Sequence, residues 1–155
     1  MPIIEIVRLR DIHLSGLLEF FKTINIPLYT KDFSPHPFDE DNAKRICCYG
    51  GRDQYYGITL GGINIIGYGM LRGWDEGYEI PSIGLCILKE YQGKHLGKTF
   101  MNFLEAASLL GGASKIMLKV KKDNKTAKAL YDKQGFVFQE YNNDFLIGYK
   151  LLSTR

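Results

Sequence analysis

"YQGKHLGKTF" (91–100) is the stretch on which the reading of the fold turns. A Walker phosphate loop has the form G-x-x-x-x-G-K-[ST], whereas Gly93 and Gly97 enclose only three residues before Lys98 and Thr99. Such a loop follows the first strand of a parallel sheet and needs several more strand–helix units to complete the sheet and supply a magnesium ligand. Too little chain follows Thr99 for that, and it ends in a hairpin pattern. The Walker reading is therefore set aside. Strand, tight turn and helix still occur in the order that anion binding requires, because the free amides of a helix's first turn point at whatever lies beyond it. Gly93 frees the turn, Gly97 lets a ligand approach without a Cβ, and Lys94 and Lys98 add exposed charge. Taken alone, the same residues also suit a glycine-containing helix start on the surface.

The rest of the chain narrows the choice. Its 155 residues, 45% apolar, fit one domain over 1–155. Twenty Lys and Arg against 17 Asp and Glu give a net charge of +3, which slightly favours anionic ligands and is far too small for a nucleic-acid surface. No apolar run is long enough to cross a bilayer, and "MPIIEIVRLR" carries charges where a signal peptide stays apolar, so a cytoplasmic protein without a membrane partner is expected. Cys47, Cys48 and Cys86 lack zinc or disulfide spacing, and His13, His36 and His95 are isolated, so no metal site is expected.

Hydrophobic periodicity gives the elements. "IIEIVRLR" (3–10) alternates as a strand, and "DIHLSGLLEFFKTI" (11–24) is helical with Asp11 as its cap. Three prolines make 25–42 a long loop of the kind that often covers a binding site, followed by a short helix near 39–48. "YYGITLGG" and "INIIGYGMLR" form a hairpin around Gly61–Gly62, and "IPSIGLCIL" (80–88) is a third strand leading into the opening stretch. Leu96, Phe100, Phe103, Leu104, Ala107 and Leu110 share one helix face. "KIMLKV" is a strand, 124–134 a helix starting at Asn124 and stopped by Gly135, and 136–152 two strands around "NND".

This order, with two motifs, resembles the GCN5-related N-acetyltransferase (GNAT) family. "QGKHLG" (92–97) is similar to its acetyl-CoA loop, [QR]-x-x-G-x-[GA], with Gln92, Leu96 and Gly97 in place and His95 where the family has a central glycine. "VKKDNKTAKALYDKQGFV" (120–137) is similar to the family's strand, Asn and A-x-x-[LF]-Y-x-x-x-G-F, through Asn124, Ala127, Leu130, Tyr131, Gly135 and Phe136. The resemblance implies an α/β (α+β) acyl-CoA N-acyltransferase fold, a central mixed, mostly antiparallel sheet flanked by helices. It implies acetyl-CoA as donor, bound along Leu85, Cys86, Ile87 and Leu88, by the loop Gln92, Gly93, Lys94, His95, Leu96, Gly97 and Lys98, and by Asn124 and Tyr131. An amide near Ile87 or Leu88 would hold the thioester carbonyl.

The chemistry implied is direct attack by a neutral amine on a thioester. Tyr131 corresponds to the family's general acid, and a phenol of pKa near 10 is matched to a thiolate leaving group whose thiol has a pKa of about 8–9. Glu79 lies close to where the family often places a carboxylate or water-relay residue; a free carboxylate is a poor direct base for an ammonium, so it would orient water or bind the cation. For the acceptor, Trp74 and Tyr78 offer a flat wall, Asp75 and Glu76 attract an ammonium, and Arg72 suits a phosphate. A small amine or amino sugar, free or nucleotide-linked, is the favoured substrate; a peptide amine, or a non-catalytic CoA-binding role, are the alternatives. Either a monomer or a homodimer is compatible with these residues.

Overall fold

Seven strands, β1 (Ile4–Arg8), β2 (Gln54–Leu60), β3 (Asn64–Arg72), β4 (Ser82–Ile87), β5 (Lys115–Lys121), β6 (Val137–Glu140) and β7 (Phe145–Leu151), join one sheet in the order β1-β2-β3-β4-β5-β7-β6. These and all other details come from a computed structural model, which describes residues 1–152. Every neighbouring pair is antiparallel except β4 and β5. The helices are α1 (Leu14–Ile24), α2 (Pro27–Thr30), α3 (Glu40–Cys47), α4 (Leu96–Leu110) and α5 (Lys125–Lys133). The expected mixed, mostly antiparallel sheet flanked by helices is thus the fold observed.

Successive strand residues point to opposite faces, and β3 uses both. Tyr68 is fully buried against Phe20 and Phe21 of α1, whereas at Gly69 an added Cβ would lie 2.5 Å from the ring of Phe100 in α4. Thus α1 covers one face and α4 the other, and glycine at 69 lets α4 approach closely. The α4 face is rotated from the one expected: Phe100, Met101, Leu104 and Ser108 are buried, while Leu110 is 91% exposed at the helix end. Ser108 is accommodated because its Oγ donates to the Leu104 carbonyl at 2.8 Å.

The chain leaves β1 differently from the expectation. Residues 11–13 form a 3-10 turn before α1, and among the described residues Asp11 accepts only from the adjacent Ile12 amide. The turn is closed by His13, whose Nδ1 accepts from the Arg10 amide at 3.0 Å. Asp39 caps α3 by accepting from the Asn42 amide at 2.9 Å, and Asn124 caps α5 by accepting from Ala127 at 3.3 Å, as anticipated for Asn124.

What positions the site is a failure of pairing. β4 and β5 run parallel but share one register pair, Ser82 with Met117, closed by the Met117 amide donating to the Pro81 carbonyl at 3.0 Å. Beyond it the strands diverge, and the sheet opens.

Candidate active site

The backbone facing that opening follows from the β3–β4 ladder. Leu88 donates its amide to the Ile66 carbonyl at 3.0 Å, and in an antiparallel pair residues bond across in alternation. Cys86 and Gly84 therefore turn their peptide groups toward β3, and Ile83, Leu85 and Ile87 turn theirs toward the gap. Leu88, expected to help hold a thioester carbonyl, has its amide engaged and is corrected on that point. Ile87 and Leu85 have the available amides. The Ile87 carbonyl is taken by the Gln92 side chain, which donates to it at 3.0 Å and ties the loop to the strand end.

A groove of about 610 Å³ fills the opening. Leu85, Cys86 and Ile87 form one wall, Gln92, Gly93 and Gly97 one end, and Asn124 and Tyr131 the α5 side. Eight of the residues expected to bind the cofactor thus converge there from four segments. Lys94, His95, Leu96 and Lys98 stand at the turn outside this wall. The first intrahelical bond from α4 is Thr99 to the His95 carbonyl at 3.1 Å, which leaves the amides of Leu96, Gly97 and Lys98 without helical acceptors. Nothing lies within 4 Å of a Cβ built on Gly97, so no packing within the described residues demands glycine there. The space is open for a ligand. His95 is the only non-glycine residue with positive φ among those described, at φ 65° and ψ 7°. The position where the family has glycine is a left-handed one, and the His95 side chain accepts that strain.

Tyr131 is partly exposed toward the groove, and its ring packs edge-on against Phe136 with centroids 5.7 Å apart. Desolvation raises its pKa, which keeps the phenol protonated and able to donate. Burial also pushes the Cys86 thiol up to about 12, so it is not a thiolate near neutral pH and is no nucleophile.

A second cavity of about 610 Å³ lies on the other side of the opening, between the 30–35 segment, the start of β4 and the β6–β7 turn. Both cavities share Lys31, Asp32, Phe33, Ile83, Gly84 and Lys119, so an acceptor in the second can meet a donor in the first. Arg72 lines this cavity and donates to the Pro35 carbonyl at 3.1 Å. The other acceptor residues read from the sequence are elsewhere. Trp74 is 6% exposed, packed against Gly111 with the Arg52 guanidinium 5.9 Å from its ring, and is a core residue rather than a substrate wall. The Asp75 carboxylate accepts from the Tyr49 hydroxyl at 2.6 Å and from the Arg52 and Asp53 amides at 2.9 Å; these bonds hold its pKa low and make it a loop clasp. Tyr78, Glu76 and Glu79 are exposed and line neither cavity. Asp32 is the carboxylate at the shared wall. Its only sequence signal was the proline-broken loop containing it, because contact between that loop and β4 spans fifty residues of chain, about the reach that periodicity cannot report.

Comparison with known proteins agrees with this architecture. The model of the acetyltransferase (GNAT) family matches residues 18–136, and the chain belongs to that family. It is accordingly an acyltransferase. Among solved structures it is similar to the GNAT domain of S. lividans PAT, with a TM-score of 0.81 at 11% identity, covering 95% of this chain and 89% of that one. It is also similar to PaiA N-acetyltransferase from Thermoplasma acidophilum in complex with coenzyme A, with a TM-score of 0.77 at 20% identity over 96% and 99% of the two chains. Spermidine N-acetyltransferase from Vibrio cholerae, in complex with CoA and spermine, gives 0.73 at 23% identity over 96% and 95%. No curated protein sequence matches the chain at a significant level. No helix among the described residues is long and apolar enough to cross a membrane.

Proposed function

We propose that residues 1–155 form one N-acetyltransferase domain that uses acetyl-CoA to acetylate a primary amine on a small molecule, by direct attack. The observation that carries this reading is the β4–β5 opening, with free Leu85 and Ile87 amides, the open Gly93–Gly97 cradle at one end and Tyr131 in its wall. These residues fit the donor. The first-turn amides of α4 suit a diphosphate, and a strand edge with unpaired polar groups suits an amide-bearing arm. Two of the similar structures contain CoA.

Acetyl-CoA, when bound, supplies the activated acyl group as a thioester. The Ile87 or Leu85 amide then donates to the carbonyl oxygen as negative charge grows there, an interaction worth about 3 kcal/mol for a well-aimed donor. As the C–N bond forms and the C–S bond breaks, Tyr131 would give its phenolic proton to the departing sulfur, while the nitrogen loses its extra proton to solvent and Tyr131 is reprotonated from it. Asp32, at the junction of the two cavities, orients the amine; Glu79, which lines neither cavity, does not take that part. Thiol catalysis is not required, in keeping with the raised pKa of Cys86.

Tyr131→Phe tests the assignment. It should leave acetyl-CoA affinity intact and lower kcat by about 10²-fold or more, measured by release of free CoA thiol. An unchanged kcat with a verified amine would remove Tyr131 from the acid role.

A further inference from the structure

The cavity on the acceptor side has an uneven charge that the family assignment does not explain. Lys31, Arg72, Lys119 and Lys121 line it, and Asp32 is the lone carboxylate among the described lining residues. None of these four cations takes part in a salt bridge among the described residues. Their distribution is ordered along the cavity. Lys31, Asp32 and Lys119 belong to the wall shared with the donor groove, whereas Arg72 and Lys121 line the acceptor cavity alone. Arg72 is half-buried, with its fork oriented by the bond to the Pro35 carbonyl, and Lys121 is also half-buried.

We propose that the acceptor is an amine that also carries an anionic oxygen group, a carboxylate or a phosphate, held by Arg72 and Lys121 while Asp32 holds the amine at the donor groove. This deepens the acetyltransferase reading and rests on it. A guanidinium presents paired N–H donors that match either anion, and a lysine lining the same cavity adds charge without fixing geometry. The same four cations act against polyamines, because a ligand with several ammonium groups meets four like charges and a single carboxylate, Asp32, along the lining. Specificity would thus come from repulsion of one amine class as well as attraction of another.

The test compares matched acceptors with acetyl-CoA as donor: glucosamine 6-phosphate against glucosamine, L-phenylalanine against phenethylamine, and spermidine. The proposal expects the anionic member of at least one pair to have kcat/KM higher by about 10-fold or more, with spermidine the poorest substrate. Preference within the first pair identifies a phosphate, within the second a carboxylate. Lys121→Gln and Arg72→Gln should each raise KM for the preferred acceptor and bring the pair toward equality, with acetyl-CoA affinity by calorimetry unchanged. Lys121→Gln is the control for folding, since Lys121 does not hold the 31–38 loop. Preference for spermidine or for the neutral members, turnover of none of the five, or loss of acetyl-CoA affinity in Lys121→Gln would overturn it. Failure of the unaltered protein to bind acetyl-CoA would overturn the acetyltransferase reading itself, a separate result.

Discussion

At the scale of single residues, His95 carries the clearest departure. Its left-handed backbone sits at the turn into α4, where glycine is free of the Cβ clash. His95→Gly relieves that clash and loosens the unfolded chain, so a net gain of about 0.5–1 kcal/mol is expected in urea unfolding, with acetyl-CoA affinity held or improved. A less stable variant would show that the imidazole is held by something beyond the backbone turn. The sequence already marked this position, since the mismatch with the glycine pattern falls on the one non-glycine residue with a left-handed backbone among those described. Trp74 and Asp75 were misread for the opposite reason. An aromatic beside a carboxylate looks the same on paper whether it faces substrate or closes a loop, and only the partners Tyr49, Arg52, Asp53 and Gly111, distant in sequence, decide it.

At the scale of elements, Gly69 sets how closely α4 packs on the sheet. Phe100 is fully buried, so its ring has no room to withdraw from a methyl placed 2.5 Å away. Gly69→Ala should therefore cost about 1–3 kcal/mol, read as a lower denaturation midpoint; an unchanged midpoint would mean that α4 shifts freely over β3. The helices and strands around it were legible because each has strong periodicity and its own stop signal. Asn124 and Gly135 bracket α5, and Gly61 and Gly62, both at positive φ, turn the β2–β3 hairpin. The rotation of α4 that hides Met101 and exposes Leu110 was not legible. A helix face is chosen by what it packs against, and here Gly69 on β3 makes that choice. The donor's place along Leu85 to Leu88 came only through family resemblance, because the absence of a ladder between β4 and β5 leaves no pattern in either strand.

At the scale of the whole molecule, the 31–38 loop joins stability to function. His36 donates from Nδ1 to the Pro37 carbonyl at 2.8 Å, which leaves Nε2 to accept from the Tyr68 hydroxyl at 2.8 Å, inside a cluster with Phe21, Phe33 and Phe38. Burial lowers its pKa below 6.5, as it does that of His13. The folded protein then binds fewer protons than the unfolded chain, so this stability is present in full above about pH 6.5 and is lost as pH falls through the lowered values. The melting temperature should fall between about pH 7 and pH 5, less steeply in His36→Gln; an equal slope would assign the effect elsewhere. Because Phe33 and Pro35 line the acceptor cavity, acceptor KM should rise over the same interval.

The central claim is that the gap between β4 and β5, with the cradle at Gly93–Gly97, receives acetyl-CoA. Calorimetric titration of the purified protein with acetyl-CoA, with ATP as the matched control, tests it most directly. Acetyl-CoA should bind, ATP should not bind comparably, and acetyl-CoA binding should be lost in a folded Gly97→Trp variant, whose side chain would fill the open space beside the first-turn amides. A folded protein that ignores acetyl-CoA, or a Gly97→Trp variant that binds it as well as the original, would contradict the account.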